Sequence, residues 1–223
     1  MAPLTAPRAT ASLAPASGEL LAALAARPWA ADFYLAGSAA LALHLGHRPV
    51  LALDLMSGRH RLTSPGRRDL LADLLALDPG FEVETARDGY LSLRSGAGVP
   101  LKLYHYPYPL VEPLEEALGL PVLSLEDLGL MKVGAIISRG TRRDYLDLHL
   151  LCRRLPLEEL LARAGAKFGH VRDFPLQALK GLADLGQAPP EPLPALHRPV
   201  AWEAVAAWAE EEVRRLGRRH AGL

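Results

Sequence analysis

The chain has 223 residues, half of them apolar, which is enough for one large domain or for a core with a helical extension. Its 25 basic and 25 acidic residues cancel, which excludes a global field drawing the protein onto nucleic acid or anionic membranes but not a local patch. A single cysteine, Cys152, excludes an intramolecular disulfide framework and a cysteine-rich zinc site, and no apolar run reaches the length of a membrane span.

The first residues, MAPLTAPRATASLAPASG, lack a charged segment followed by a continuous apolar one, so no secretory signal is expected and the chain reads as cytoplasmic. Residues 1–17 read as a flexible, Pro- and Ala-rich start. Helical periodicity then runs from Gly18 to Arg27 and breaks at Pro28 and Trp29. Asp32 to Leu35 begin a first strand, a Gly37-Ser38 turn follows, and residues 39–46 form a short helix ended by Gly46. Val50 to Leu55 is almost unbrokenly apolar, the pattern of a central strand buried on both faces. Ser64 and Pro65 start a helix over 66–77. Three short strands, 81–85, 89–95 and 99–106, separated by turn residues, predict a meander.

The second half is helical. A helix is expected from Leu125 to Ser138, with Glu126 and Asp127 in its first turn. Thr141 and Asp144 form a capping box for the next helix, 142–153. Helices over 156–166 and 174–185 lead to a proline-rich connector, 187–200, and an amphipathic helix from Trp202 to Arg218. That last helix ends in a basic run, which suits either a solvated tail or a nucleic-acid patch.

Three features could carry chemistry. Strand, Gly37-Ser38 turn and helix put backbone N–H groups at a helix N-terminus, a phosphate cradle, although a glycine at a tight turn also has a purely structural use. Asp54 is an acid in an apolar strand, which is costly unless it is paired, metal-bound or at a solvated strand end, and alternation puts Ala52 on its face. In residues 131–151, Lys132 and Arg139 lie two turns apart on one helix, and Asp144 and Asp147 share a face of the next. Arg142 and Arg143 stand at that helix's N-terminus, against the dipole, which suggests an anion to bind. A helical hairpin held by Lys/Arg–Asp salt bridges explains the same residues.

Together these segments, from Phe33 to Leu151, resemble the AbiEii-type nucleotidyltransferase toxin family of the polymerase-beta-like superfamily. Gly37-Ser38, thirteen spacer residues (39–51) and Ala52-Leu53-Asp54 match the glycine, serine and second acid of its signature, with Ala52 where the first acid stands. Met131-Lys132-Val133 matches the later lysine motif, and Arg143-Asp144-Tyr145-Leu146-Asp147-Leu148 the closing Arg-Asp-x-x-Asp-Leu motif. The resemblance implies an α/β (α+β) fold, a nucleotidyltransferase-like mixed β-sheet core over 18–123 flanked by helices, with a helical C-terminal part over 124–223.

It also implies transfer of a nucleotide from an NTP to an RNA or protein acceptor, and an antitoxin protein as partner. Asp54 would bind Mg²⁺. Gly37, Ser38, Lys132, Arg139 and Arg143 would bind the nucleotide, and Asp144 or Asp147 would orient Lys132 or the acceptor. Magnesium needs near-octahedral oxygen ligation, which alanine does not supply, and the strand from Val99 to Tyr108 holds no carboxylate. Glu82 or Glu84 could approach from a neighbouring strand. Ala52 therefore predicts impaired activity, with two alternatives: an inactive nucleotide- or RNA-binding pseudoenzyme, or an interaction module using the connector and last helix.

Overall fold

The protein is described by a computed structural model over residues 12–220. The chain divides into two units, Met1–Pro109 with Pro113–Ser124, and Leu110–Glu112 with Leu125–Leu223.

The first unit contains α1 (Pro15–Ala25), a 3-10 turn (Pro28–Asp32), β1 (Tyr34–Ala36), α2 (Gly37–Leu45), β2 (Leu53–Ser57) and α3 (Ser64–Leu77). The strands β3 (Glu82–Arg87), β4 (Tyr90–Arg94), β5 (Pro100–His105), β6 (Glu115–Ala117) and β7 (Leu120–Val122) follow. They form one seven-stranded mixed sheet in the order β3-β4-β5-β2-β1-β7-β6. The expected meander is present as antiparallel β3-β4-β5, and β5 continues parallel onto β2. Side chains alternate across a sheet, so the register sorts them into two faces. One face is apolar and closed: Leu35, Leu53, Leu55, Leu91, Leu93, Leu101 and Leu103 are each at most 1% exposed. The opposite face carries Ala36, Asp54, Lys102 and Ser92 side by side.

Three expectations shift. Helix α1 begins at Pro15 rather than Gly18, because proline fits a helix's first position, and Ser17 donates from Oγ to the Leu51 carbonyl at 2.6 Å. Leu13 is buried and bridges Val50, so packing starts within the segment read as flexible, whose residues 1–11 lie outside the described ones. Val50 is thereby taken out of the central strand, which begins at Leu53 and leaves Leu51 exposed. The hairpin β6-β7 was not expected at all. Its two-residue turn is Leu118-Gly119, at φ +55° and +78°.

The second unit is helical: α4 (Leu125–Ser138), α5 (Arg142–Cys152), α6 (Leu157–Phe168), α7 (Phe174–Ala183), a 3-10 turn (Asp184–Gln187) and α8 (Trp202–His220). Thr141 caps α5, its hydroxyl donating to Asp144 Oδ2 at 2.8 Å and accepting the Asp144 N–H at 3.3 Å. Segment Leu110–Glu112 is tied to this unit by Asp127, whose carboxylate accepts the N–H groups of Val111 and Glu112 at 3.1 Å. The same carboxylate meets Lys167 Nζ at 2.6 Å, with both side chains fully buried. Asp127 thus serves as a buried anchor as well as a first-turn acid. Among the described residues, no helix is long and apolar enough to cross a membrane.

Candidate functional site

The sheet unit builds its polar site from the turn between β1 and α2. Gly37 adopts φ +61°, and a Cβ there would overlap Asp54 Oδ2 and lie 3.0 Å from Cγ. The pairing of Ala36 with Asp54 brings this about, by setting β2's acid beside the first residue of α2. The carboxylate therefore stands against a bare Cα, next to a helix end whose first N–H groups have no intrahelical acceptor. Any side chain at position 37 would push the two apart. Ser38 follows as the second residue of α2 and is half-buried.

Next to Asp54 in the sheet comes Lys102, and next to Lys102 comes Ser92. Ser92 Oγ donates to Glu84 Oε2 at 2.9 Å, and Arg94 Nη2 to Glu84 Oε1 at 2.6 Å. The Ser92 hydrogen bond, then that of Arg94, hold the Glu84 carboxyl below the usual carboxylate range, and the charges of Arg94 and Lys102 add to this. Acid, cation, hydroxyl and acid thus run across the sheet from Asp54 to Glu84. Glu84 lies beyond Lys102 in this row. Lys102 is not a carboxylate and matches no metal motif, yet a lysine between Leu101 and Leu103 is as marked a signal in the sequence as Asp54.

The donors do not fit a resident magnesium ion. Asp54 pairs in the ladder with Ala36 and Lys102, and Ala52 precedes the ladder and offers no oxygen. Among the described residues no three His, Cys, Asp or Glu side chains are grouped so that they could hold a metal.

In the helical unit, α4 and α5 bring four of the sequence-selected residues together. Lys132 Nζ lies 2.7 Å from Asp147 Oδ2 and 3.2 Å from Asp144 Oδ1. Arg139 reaches the two Asp144 oxygens, Nε to Oδ2 at 2.9 Å and Nη2 to Oδ1 at 3.2 Å. Burial pushes the Asp144 carboxyl up, but the Arg139 hydrogen bonds, the Lys132 charge and the Thr141 hydroxyl outweigh it and hold it below the usual range. Asp147 is fully buried and Lys132 nearly so, while the Arg139 side chain is 63% exposed. Arg139 also lines a cavity of about 400 Å³ with Tyr145, Gln177 and Lys180.

The two arginines at the start of α5 have local explanations. Arg142 lies over the Trp202 ring, 5.0 Å from its centroid, and the Arg143 N–H donates to Glu191 Oε1 at 3.1 Å. Glu191 of the connector is thus an anion at that helix end, supplied by the chain itself, and the Arg143 side chain is exposed. Burial, then the charge of Glu212, push the Cys152 thiol up, which keeps it protonated and unreactive at neutral pH.

Residues 19–208 match the family model of the nucleotidyl transferase AbiEii toxin of a type IV toxin–antitoxin system. An uncharacterized protein of Aquifex aeolicus, aq_aa25, is 30% identical over 151 residues, which is 64% of this chain and 69% of the relative. A solved structure of a candidate nucleotidyltransferase from H. pylori aligns with TM-score 0.52 at 17% identity, covering 92% of this chain and 98% of its own, a likeness of fold. MenT4, a nucleotidyltransferase toxin of Mycobacterium tuberculosis, aligns with TM-score 0.48 at 17% identity, covering 89% and 84%.

Proposed function

Because the chain belongs to the AbiEii nucleotidyl transferase toxin family, we propose that it binds an NTP and transfers a nucleotide to an RNA or protein hydroxyl at an impaired rate. A cognate antitoxin is its proposed counterpart. The observation that carries this reading is the carboxylate of Asp54 set against the bare Cα of Gly37 at the start of α2.

A phosphate arriving at that turn would take the unpaired N–H groups of the first turn of α2 and the Ser38 hydroxyl. Asp54, beside them, would orient the attacking hydroxyl and take its proton. The hydroxyl oxygen bonds to the α-phosphorus, the bond to the β-phosphate oxygen breaks, and pyrophosphate leaves. In such transfers magnesium neutralises phosphate charge, and the single carboxylate of this donor set suits a resident ion poorly. That is the physical reason for an impaired rate. It equally favours a second reading, a protein that binds nucleotide or RNA without turnover.

In the helical unit Lys132 is assigned to hold Asp144 and Asp147, since both carboxylates already meet its ammonium. Arg139, with a largely exposed side chain, and Arg143 are assigned to anionic ligands.

The test is label transfer from each α-labelled NTP to total RNA or to protein, by the natural chain and by Asp54→Asn. The expected result is transfer by the natural chain that falls roughly a hundredfold in Asp54→Asn, the scale of a lost general base. NTP binding without transfer would select the second reading. Neither binding nor transfer would overturn both.

A further inference from the structure

We propose that Lys102 is the resident cation of the nucleotide site, holding the triphosphate oxygens of a metal-free NTP where related chemistry would place a divalent ion. This inference rests on the reading of the Gly37–Asp54 turn as the nucleotide site.

Three observations carry it. Lys102 is the ladder partner of Asp54 in parallel strands, so the two side chains leave the same face at neighbouring positions. On its other side, Lys102 pairs in register with Ser92, whose hydroxyl is committed to Glu84, and its charge acts on the Glu84 carboxylate. A cation therefore stands between two acids on the polar face, one strand from Asp54 and two from β1, whose end carries the turn where phosphate is proposed to sit. Finally, Asp54 finds no second carboxylate at Ala36, Lys102 or Ala52, so a divalent ion there would take most of its oxygens from water and the nucleotide.

A lysine ammonium carries three donors and a compact charge, and it needs no oxygen ligands beyond those it donates to. Asp54 on one side and Glu84, beyond Ser92, on the other flank it on the polar face. Such a cation neutralises phosphate charge less fully than a divalent ion. Binding is expected to persist without metal while transfer stays slow.

The test is calorimetric titration of ATP into the full chain, once in excess EDTA and once in excess magnesium, with Lys102→Gln, Lys102→Arg and, as an exposed cation outside the row, Arg172→Gln. The expected result is an affinity in EDTA within about threefold of that in magnesium, and a loss of at least roughly tenfold in Lys102→Gln under EDTA. Lys102→Arg, which keeps the charge, should retain binding, and Arg172→Gln should match the natural chain. Binding by the natural chain that appears only with magnesium would overturn the inference and leave the nucleotide reading standing. That arm needs no variant, so it holds even if Lys102→Gln does not fold. Equal binding by Lys102→Gln and the natural chain in EDTA would also overturn it. Binding in neither condition would overturn the nucleotide reading and the inference together.

Discussion

Gly37 combines two constraints that a side chain would violate together. Its φ of +61° disfavours L-residues, and a Cβ would occupy the space of Asp54 Oδ2. Gly37→Ala is expected to cost roughly 1–2 kcal/mol from the backbone alone, more with the overlap, and urea unfolding would measure it. In the helical unit, Lys132 lies between one fully buried and one nearly buried carboxylate. Lys132→Met strands Asp147, while Asp144 keeps Arg139 and Thr141, and should cost roughly 3–5 kcal/mol, with part recovered when Asp147→Leu is added. Stability independent of Lys132 in that unfolding series would show that the cluster is not held by its charge.

Asp144 adds a pH dependence with a defined sign. Its carboxyl is depressed in the folded chain, so it contributes stability above the unfolded value near about pH 4. That contribution is lost as pH falls through the lower folded value. The stability difference between the natural chain and Asp144→Asn, read by urea unfolding, should therefore be full near neutrality and shrink in acid below about pH 4.

At the scale of elements, what the sequence reveals depends on whether local rules and tertiary contacts agree. The β1-α2-β2 passage was legible because Gly37-Ser38 punctuates two apolar runs, and β3-β4-β5 because Asp88-Gly89 and the loop near Gly98 are ordinary turn signals. Hairpin β6-β7 was not, because its strands have three residues each, Pro121 interrupts one, and Leu118 takes a left-handed turn position normally held by Asn, Asp or Gly. The edge of β2 was displaced by Leu13, a partner far away in sequence. The Lys132 cluster was legible from helical spacing. The Lys102 row was not, because only registration of three strands puts Asp54, Lys102 and Ser92 side by side.

Segment Leu110–Glu112 gives an element-scale prediction. Its N–H groups bind Asp127, and Asp127 is held by Lys167 in full burial. Lys167→Met should destabilise the helical unit by roughly 3–5 kcal/mol and raise hydrogen exchange at Val111 and Glu112 ahead of α5. Unchanged exchange there would separate the segment from the ion pair.

For the whole molecule, family membership and a fold shared with a solved nucleotidyltransferase candidate agree with the element order, and Ala52 stands where the resemblance leads one to expect an acid. On the proposed reading, an alanine at position 52 and a lysine across the ladder from Asp54 act in one direction, lowering the demand for a divalent ion. Ala52→Asp alone should therefore gain little magnesium-dependent transfer, whereas Ala52→Asp with Lys102→Asp should gain clearly more. Equal gain in the label-transfer assay would place Lys102 outside the site.

The central claim is that an NTP binds at the turn between β1 and α2. At 24.1 kDa the chain suits amide-resolved NMR, so the direct measurement is a titration of ATP followed at Gly37, Ser38 and Ala39. The account predicts saturable shifts at these three amides and at Lys102. Saturable shifts confined to other amides, or no shifts at any, would contradict it.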